Sequence, residues 1–261
     1  MAPITSPSGP VVAASSQTGP VTDDGAQALV AVRLPGAAAL GLVAPPSATV
    51  VPATLLADVD WTADVLTGRA LRQRTDDRRV LATVWWYSAS SVLLTPVLAG
   101  LVTGVPLSAR LADTRVHLLA GDTPVAATTG DGRDRDLACD LRTTIAEVVA
   151  AIAEAGRLRE RPLWAIATDS LANRLLAVGR ALGDVPAATA LAAPLAAAVG
   201  APLPAPRYVD VAASGRTVRF TRRVSCCLLY RLPHEPLCVS CPRRDPVSRQ
   251  VLLADTAERM G

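Results

Sequence analysis

Lysine is absent from this chain, and all 26 of its basic residues are arginine. With alanine so abundant, genomic base composition accounts for that bias as readily as function does, so only the placement of the arginines is informative. Aromatic residues are scarce as well, at four Trp, three Tyr and one Phe. Few stacking platforms and a net charge of only +3 argue against nucleic acid as a partner. Only two histidines occur, His117 and His234, so there is no His-Glu-x2-His helix. A nucleophile elbow and a Walker-type phosphate loop are missing too. Gly130 and Gly132, in TTGDGRDRD, lack the glycine spacing of a dinucleotide fingerprint, and no nicotinamide site is expected. Residues 1–27 show no positive n-region and no continuous apolar stretch. They are expected to be a disordered lead-in, and cytoplasmic residence is the corresponding expectation. Residues 90–111 are the longest apolar run, but Pro96 and Pro106 interrupt it. A buried core helix is the better reading, and peripheral membrane association stays open.

What the chain does have is a cysteine constellation. Cys226 and Cys227 are adjacent, and Cys238 and Cys241 follow within RRVSCCLLYRLPHEPLCVSCPRR. Four soft thiolates at Cys-Cys-x10-Cys-x2-Cys suit zinc or an iron–sulfur cluster. Neighbouring side chains diverge on a strand or a helix, so placing both sulfurs on one small ion needs an unusual backbone. Zinc knuckles normally space their cysteines. Two irons spread their four sulfur ligands over a longer object, which favours [2Fe–2S]. A vicinal disulfide or two structural disulfides are the alternatives in an oxidising compartment. A chain of 261 residues, half of them hydrophobic, does not need such staples. Cys139 stands apart and reads as a buried small hydrophobe or a bystander.

The segment Arg222–Arg243 resembles the carboxy-terminal motif of FhuF-like ferric-siderophore reductases, through Cys226, Cys227, Tyr230, Arg231, Cys238, Cys241 and Pro242. That resemblance implies a [2Fe–2S] cluster held by the four cysteines and reduction of Fe(III) in a siderophore, of hydroxamate type. Arg207-Tyr208 is followed by Val-Asp, not by the serine of the flavin-binding pattern used in the other siderophore-reductase family. No flavin is expected, so the electron donor would be a separate ferredoxin or reductase. The same motif would serve a non-catalytic electron carrier or accessory protein. A zinc-stabilised binding module is the third reading.

Arginines crowd the motif: Arg216, Arg219, Arg222, Arg223 and Arg231 precede or enter it, and Arg243, Arg244 and Arg249 follow. Guanidinium groups there would stabilise an anionic cluster or steer an anionic chelate, with Arg222, Arg223 and Arg231 as the candidates; a solvated face is the plainer reading. His234 is read as an exposed loop residue rather than a ligand, and His117 as structural. Trp61, Trp85, Trp86, Tyr87 and Trp164 fit core packing better than a substrate cleft. Asp169 and Arg174 share the Trp164 helix as further candidates.

The expected fold is α+β: a predominantly helical domain with short β-hairpins and a cysteine-rich, cluster-binding carboxy-terminal hairpin. Residues 28–51 read as short extended segments. Helices are expected from 53 to about 74, from 79 to about 102 with a break at Pro96, over 143–158 and 162–183, and within 187–200. A hairpin is expected over 114–129 and another after the Pro-rich stretch 201–206. That stretch divides a main domain, 28–206, from a cluster-binding segment, 207–261.

Overall fold

A computed structural model describes residues 25–120 and 122–260, so the expected disordered lead-in lies outside the described residues up to position 24. The helices among them are α1 (Gly25–Arg33), α2 (Val59–Gln73), α3 (Arg78–Thr103), α4 (Leu137–Gly156), α5 (Glu160–Leu182), α6 (Val185–Ala190), α7 (Ala192–Val199) and α8 (Pro246–Arg259). The strands are β1 (Thr49–Pro52), β2 (Thr114–Leu119), β3 (Thr123–Thr129), β4 (Tyr208–Ala213) and β5 (Arg216–Thr221). The architecture is α+β, as expected.

Aspartate sets most helix starts. A helix leaves its first N–H groups without intrahelical partners, and a carboxylate at the N-cap accepts from them. Asp58, Asp77, Asp136, Asp184 and Asp245 do so for α2, α3, α4, α6 and α8. Gly104 and Gly183 close α3 and α5 in the left-handed conformation that glycine adopts without steric cost.

Helix α3 is the spine, packing most extensively on α5 and also on α1, α2, α4 and β3. It is long and apolar enough to cross a bilayer, but most of it is buried within the protein. The helix runs through Pro96 without the expected break, and Thr95 Oγ1 donates to the Ser91 carbonyl just before it. Trp85 and Trp86 are fully buried and Trp164 nearly so, so they build the core rather than a cleft. Trp86 Nε1 donates to the Leu163 carbonyl, and Ser90 and Ser170 share a buried hydroxyl hydrogen bond across α3 and α5.

Strands β1, β2 and β3 form an antiparallel sheet in that order, with an irregularity between His117 and Leu118. The hairpin over 114–129 stands where expected, and β1 adds a third strand. Residues 28–33 are helical, not extended: Gln27 and Val30 on one face of α1 are buried. The Gln27 amide donates to the Leu42 and Ala127 carbonyls and accepts from the Thr129 N–H. This tertiary anchoring outweighs the extended bias of a β-branched, Gly- and Pro-containing run. The helix expected from 53 is divided into a 3₁₀ turn, Ala53–Ala57, and α2, because Asp58 caps a new start. Helix α4 begins earlier than expected, at the Asp136 cap inside the charged run. The 187–200 piece divides into α6 and α7.

Beyond residues 201–206, β4 and β5 pair about the Ser214-Gly215 turn. This hairpin lies on α5 and α6: Tyr208 Oη donates to the Ala172 carbonyl, Arg180 to the Arg219 carbonyl, and Arg219 to Thr189 Oγ1. Helix α8, absent from the expected elements, packs Leu253 and Ala257 against Val211 and Ala213.

Trp86→Ala removes the largest wedge between α3 and α5. Urea unfolding should show a loss of about 3–5 kcal/mol; a loss below about 1 kcal/mol would mean this contact does not hold the two helices together.

Candidate metal centre

The first cysteine pair is placed by a buried carboxylate. Asp169, in mid-α5 and 1% exposed, accepts from the Val224 N–H at 2.8 Å, the Ser225 N–H at 3.0 Å and Ser225 Oγ at 2.5 Å. Its Oδ2 also lies 3.3 Å from Arg223 Nε. One side chain thus secures three consecutive residues, and Cys226 is the next. Charge-assisted hydrogen bonds of this kind are among the strong ones, and a buried carboxylate without them would be costly.

The adjacent pair does require an unusual backbone. Leu228, directly after Cys227, has φ of 60°, a left-handed conformation that costs a non-glycine residue about 1–2 kcal/mol. The Leu228 N–H is hydrogen-bonded to the Cys226 sulfur. Leu228 and Leu229 pack with Leu232 against Val80 and Val84 of α3, which holds the turn in place.

The second pair is held from the other side. Arg244 Nε donates to the Cys238 carbonyl at 2.9 Å and its Nη2 to the Leu237 carbonyl. Arg249, in the first turns of α8, reaches the Cys241 and Arg244 carbonyls. The cysteines therefore lie on turns between the β4–β5 hairpin and α8, with Cys227 and Cys241 buried and Cys226 and Cys238 half-buried.

Arg223 ties the two limbs together. Its Nη1 lies 3.7 Å from Cys227 Sγ and 3.4 Å from Cys238 Sγ, and its guanidinium sits 4.9 Å from the Tyr87 ring centroid on α3. Burial works against its charge, but the neighbouring Tyr87, Cys227 and Asp169 raise its pKa above the usual arginine value. The group is a fixed cation beneath the sulfurs. Nearby, Arg174 Nε is a buried donor with no acceptor among the described residues, and Arg174 also interacts electrostatically with Tyr87.

All five cysteines are free thiols in this structure. Burial pushes the Cys226 and Cys238 thiols up, offset in part by the Leu228 N–H and by Arg223 respectively, with repulsion from Cys227 and Cys241 adding a smaller upward push. Metal binding would therefore displace protons and weaken as pH falls. Among the described residues no three His, Cys, Asp or Glu side chains gather tightly enough for a single ion. Arg223 Nη2 is buried with no acceptor among the described residues, so the site retains a donor for an anionic group set among the sulfurs. Four thiolate donors and this unused N–H suit an anionic iron–sulfur cluster, which Cys226, Cys227, Cys238 and Cys241 would hold.

Of the arginine candidates, only Arg223 reaches the sulfurs. Arg222 and Arg231 are exposed; Arg222 lines a separate cavity of about 330 Å³ with Arg207 and Arg249. His234 is exposed, as expected, in a left-handed turn. His117 is buried and bonded to Thr128 Oγ1. Cys139 is exposed, which corrects its reading as a buried hydrophobe and leaves it a bystander. Asp169 turns out to be the key support, whereas in sequence it is one of several polar residues on its helix, beside Thr168, Ser170 and Arg174.

Arg223→Gln should lower the reduction potential of the iron-loaded protein by on the order of one tenfold step in the equilibrium, about 59 mV, measured by spectroelectrochemical titration. An unchanged potential would assign Arg223 to packing alone. Asp169→Ala should cost about 3–5 kcal/mol by stranding Arg223, with iron content per chain falling in parallel.

The family model described as the FhuF 2Fe-2S C-terminal domain matches residues 223–243, the span that runs from Arg223 past Cys241. No curated protein and no solved structure matches the chain. The stretch that Asp169, Arg244 and Arg249 hold in place is thus similar to the FhuF 2Fe-2S C-terminal domain over residues 223–243.

Proposed function

We propose that this protein is a cytoplasmic ferric-siderophore reductase. The carrying observation is that Arg223 contacts one cysteine from each pair, Cys227 and Cys238, within a segment similar to the FhuF 2Fe–2S domain, with Cys226 opening onto a large surface cavity. A bound [2Fe–2S] cluster supplies a one-electron couple. The electron comes from an external donor, a reduced ferredoxin or a reductase, and passes to the chelated metal: one Fe(III) becomes Fe(II) and the donor loses one electron.

The chain's own residues do the rest. Arg223 holds a positive charge against the sulfurs, which offsets the added negative charge of the reduced state. Asp169 holds Arg223 and residues 224–225 so that this geometry does not relax. Half-buried Cys226 keeps one edge of the site within reach of a chelate. Reduction amounts to release, because siderophore oxygens suit hard Fe(III) and hold softer Fe(II) less tightly.

Protein purified anaerobically should be red-brown, contain two irons and two sulfides per chain, and bleach with dithionite. Mixed with a ferric siderophore, the reduced protein should regain colour while a ferrous-specific chelator reports Fe(II). Cys238→Ser should abolish both signals. Colour without transfer to any ferric chelate would make the protein an electron carrier. Colourless protein with one zinc and no sulfide, after reconstitution has also failed, would leave a zinc-stabilised module.

A further inference from the structure

Beside the cysteines lies a cavity of about 1030 Å³, at the upper end of the range for small-molecule sites. It is bounded by the start of α3, the α4–α5 corner and the segment around Cys226. Its lining carries Arg79, Arg157, Arg159, Arg161 and Arg243 against one carboxylate, Glu154. These five arginines are exposed, and none of them forms an ion pair among the described residues. Arg243 instead lies 5.7 Å from the Tyr230 ring centroid. So much unpaired charge of one sign around a concavity attracts an anion of complementary size.

We infer that this cleft seats the ferric chelate and selects complexes of net negative charge, such as carboxylate- or catecholate-bearing Fe(III) chelates, over neutral trihydroxamates. The inference rests on the reductase reading and replaces the hydroxamate expectation drawn from resemblance. Three features carry it. Guanidinium groups pair with carboxylate and catecholate oxygens through charge-assisted hydrogen bonds, for which a neutral complex offers no counter-charge. Cys226 is the one cysteine lining the cavity, so a chelate seated there abuts the edge of the four-sulfur set. A site built from four thiolates is itself anionic, and an anionic chelate reaches it only where cations screen the repulsion. The concavity, with Leu158, Pro162 and Leu228 in its walls, suits a compact chelate rather than the broad face of a protein donor.

The test uses iron-loaded full-length protein and redox-inert Ga(III) complexes, a trianionic tricatecholate and a neutral trihydroxamate, titrated calorimetrically. The tricatecholate should bind at least about tenfold tighter, and raising NaCl from about 50 to about 300 mM should erase most of that preference. Arg157→Glu with Arg159→Glu should weaken the tricatecholate by about tenfold or more and leave the trihydroxamate unchanged. The milder Arg157→Gln and Arg159→Gln pair should show a smaller loss of the same kind, and the salt series requires no variant. Equal, salt-insensitive affinities would overturn the inference; if ferric trihydroxamate still reoxidises the reduced protein, the reductase reading survives that failure. Variants that lose only reduction by an acidic ferredoxin, with Ga(III) affinities intact, would make the cleft a protein-docking face and overturn it too. If no ferric chelate of either charge reoxidises the reduced protein, the reductase reading fails and takes the chelate assignment with it.

Discussion

A single buried carboxylate organises the metal centre. Asp169 sits where α5 faces the carboxy-terminal segment, and a charge at 1% exposure persists there only because four donors surround it. All four belong to Arg223, Val224 and Ser225. The desolvation cost of the carboxylate is therefore met by the very residues that lead into the cysteine pair. The helical core thereby dictates where a short, irregular loop must lie.

That coupling explains how turns without regular secondary structure can present four sulfurs in a defined arrangement. One limb hangs from α5 through Asp169 and rests on α3 through Leu228, Leu229 and Leu232. The other is held through its carbonyls by Arg244 and Arg249. Arg223 touches both limbs and stacks on Tyr87, so α3, α5 and both cysteine pairs meet at one guanidinium. The arginines divide by environment. The buried one addresses the sulfurs; the exposed ones of the α4–α5 corner line a cleft open to solvent.

Legibility in the sequence followed the range of the interactions involved. Local signals read well: the hairpin over 114–129, the helices at 79–102 and 162–183, and the strand pair about Ser214-Gly215 all stand close to their expected positions. Aspartate caps also mark the starts that were misplaced, at Asp58 and Asp136. Helix α8 carries the same signature in Asp245-Pro246, a cap followed by proline at the first helical position. Helix α1 was hidden for a different reason: its stability comes from Gln27 and Val30 docking on distant residues, which no local propensity reports.

The cysteine spacing alone narrowed the chemistry to a soft metal or an iron–sulfur cluster, because ligand softness and number belong to side chains whatever their surroundings, and the adjacent pair already demanded an unusual backbone. Only the tertiary structure decided which charges serve that chemistry. Arg222, Arg223 and Arg231 are indistinguishable in sequence, yet Arg223 alone is buried against the sulfurs. Asp169 lies 54 residues upstream of Arg223, its partner in the fold, and three arginines of the cleft, Arg157, Arg159 and Arg161, come from the α4–α5 corner far from the motif. Electrostatic influence depends on distance and burial, and both arise only when separated segments of the chain are packed together.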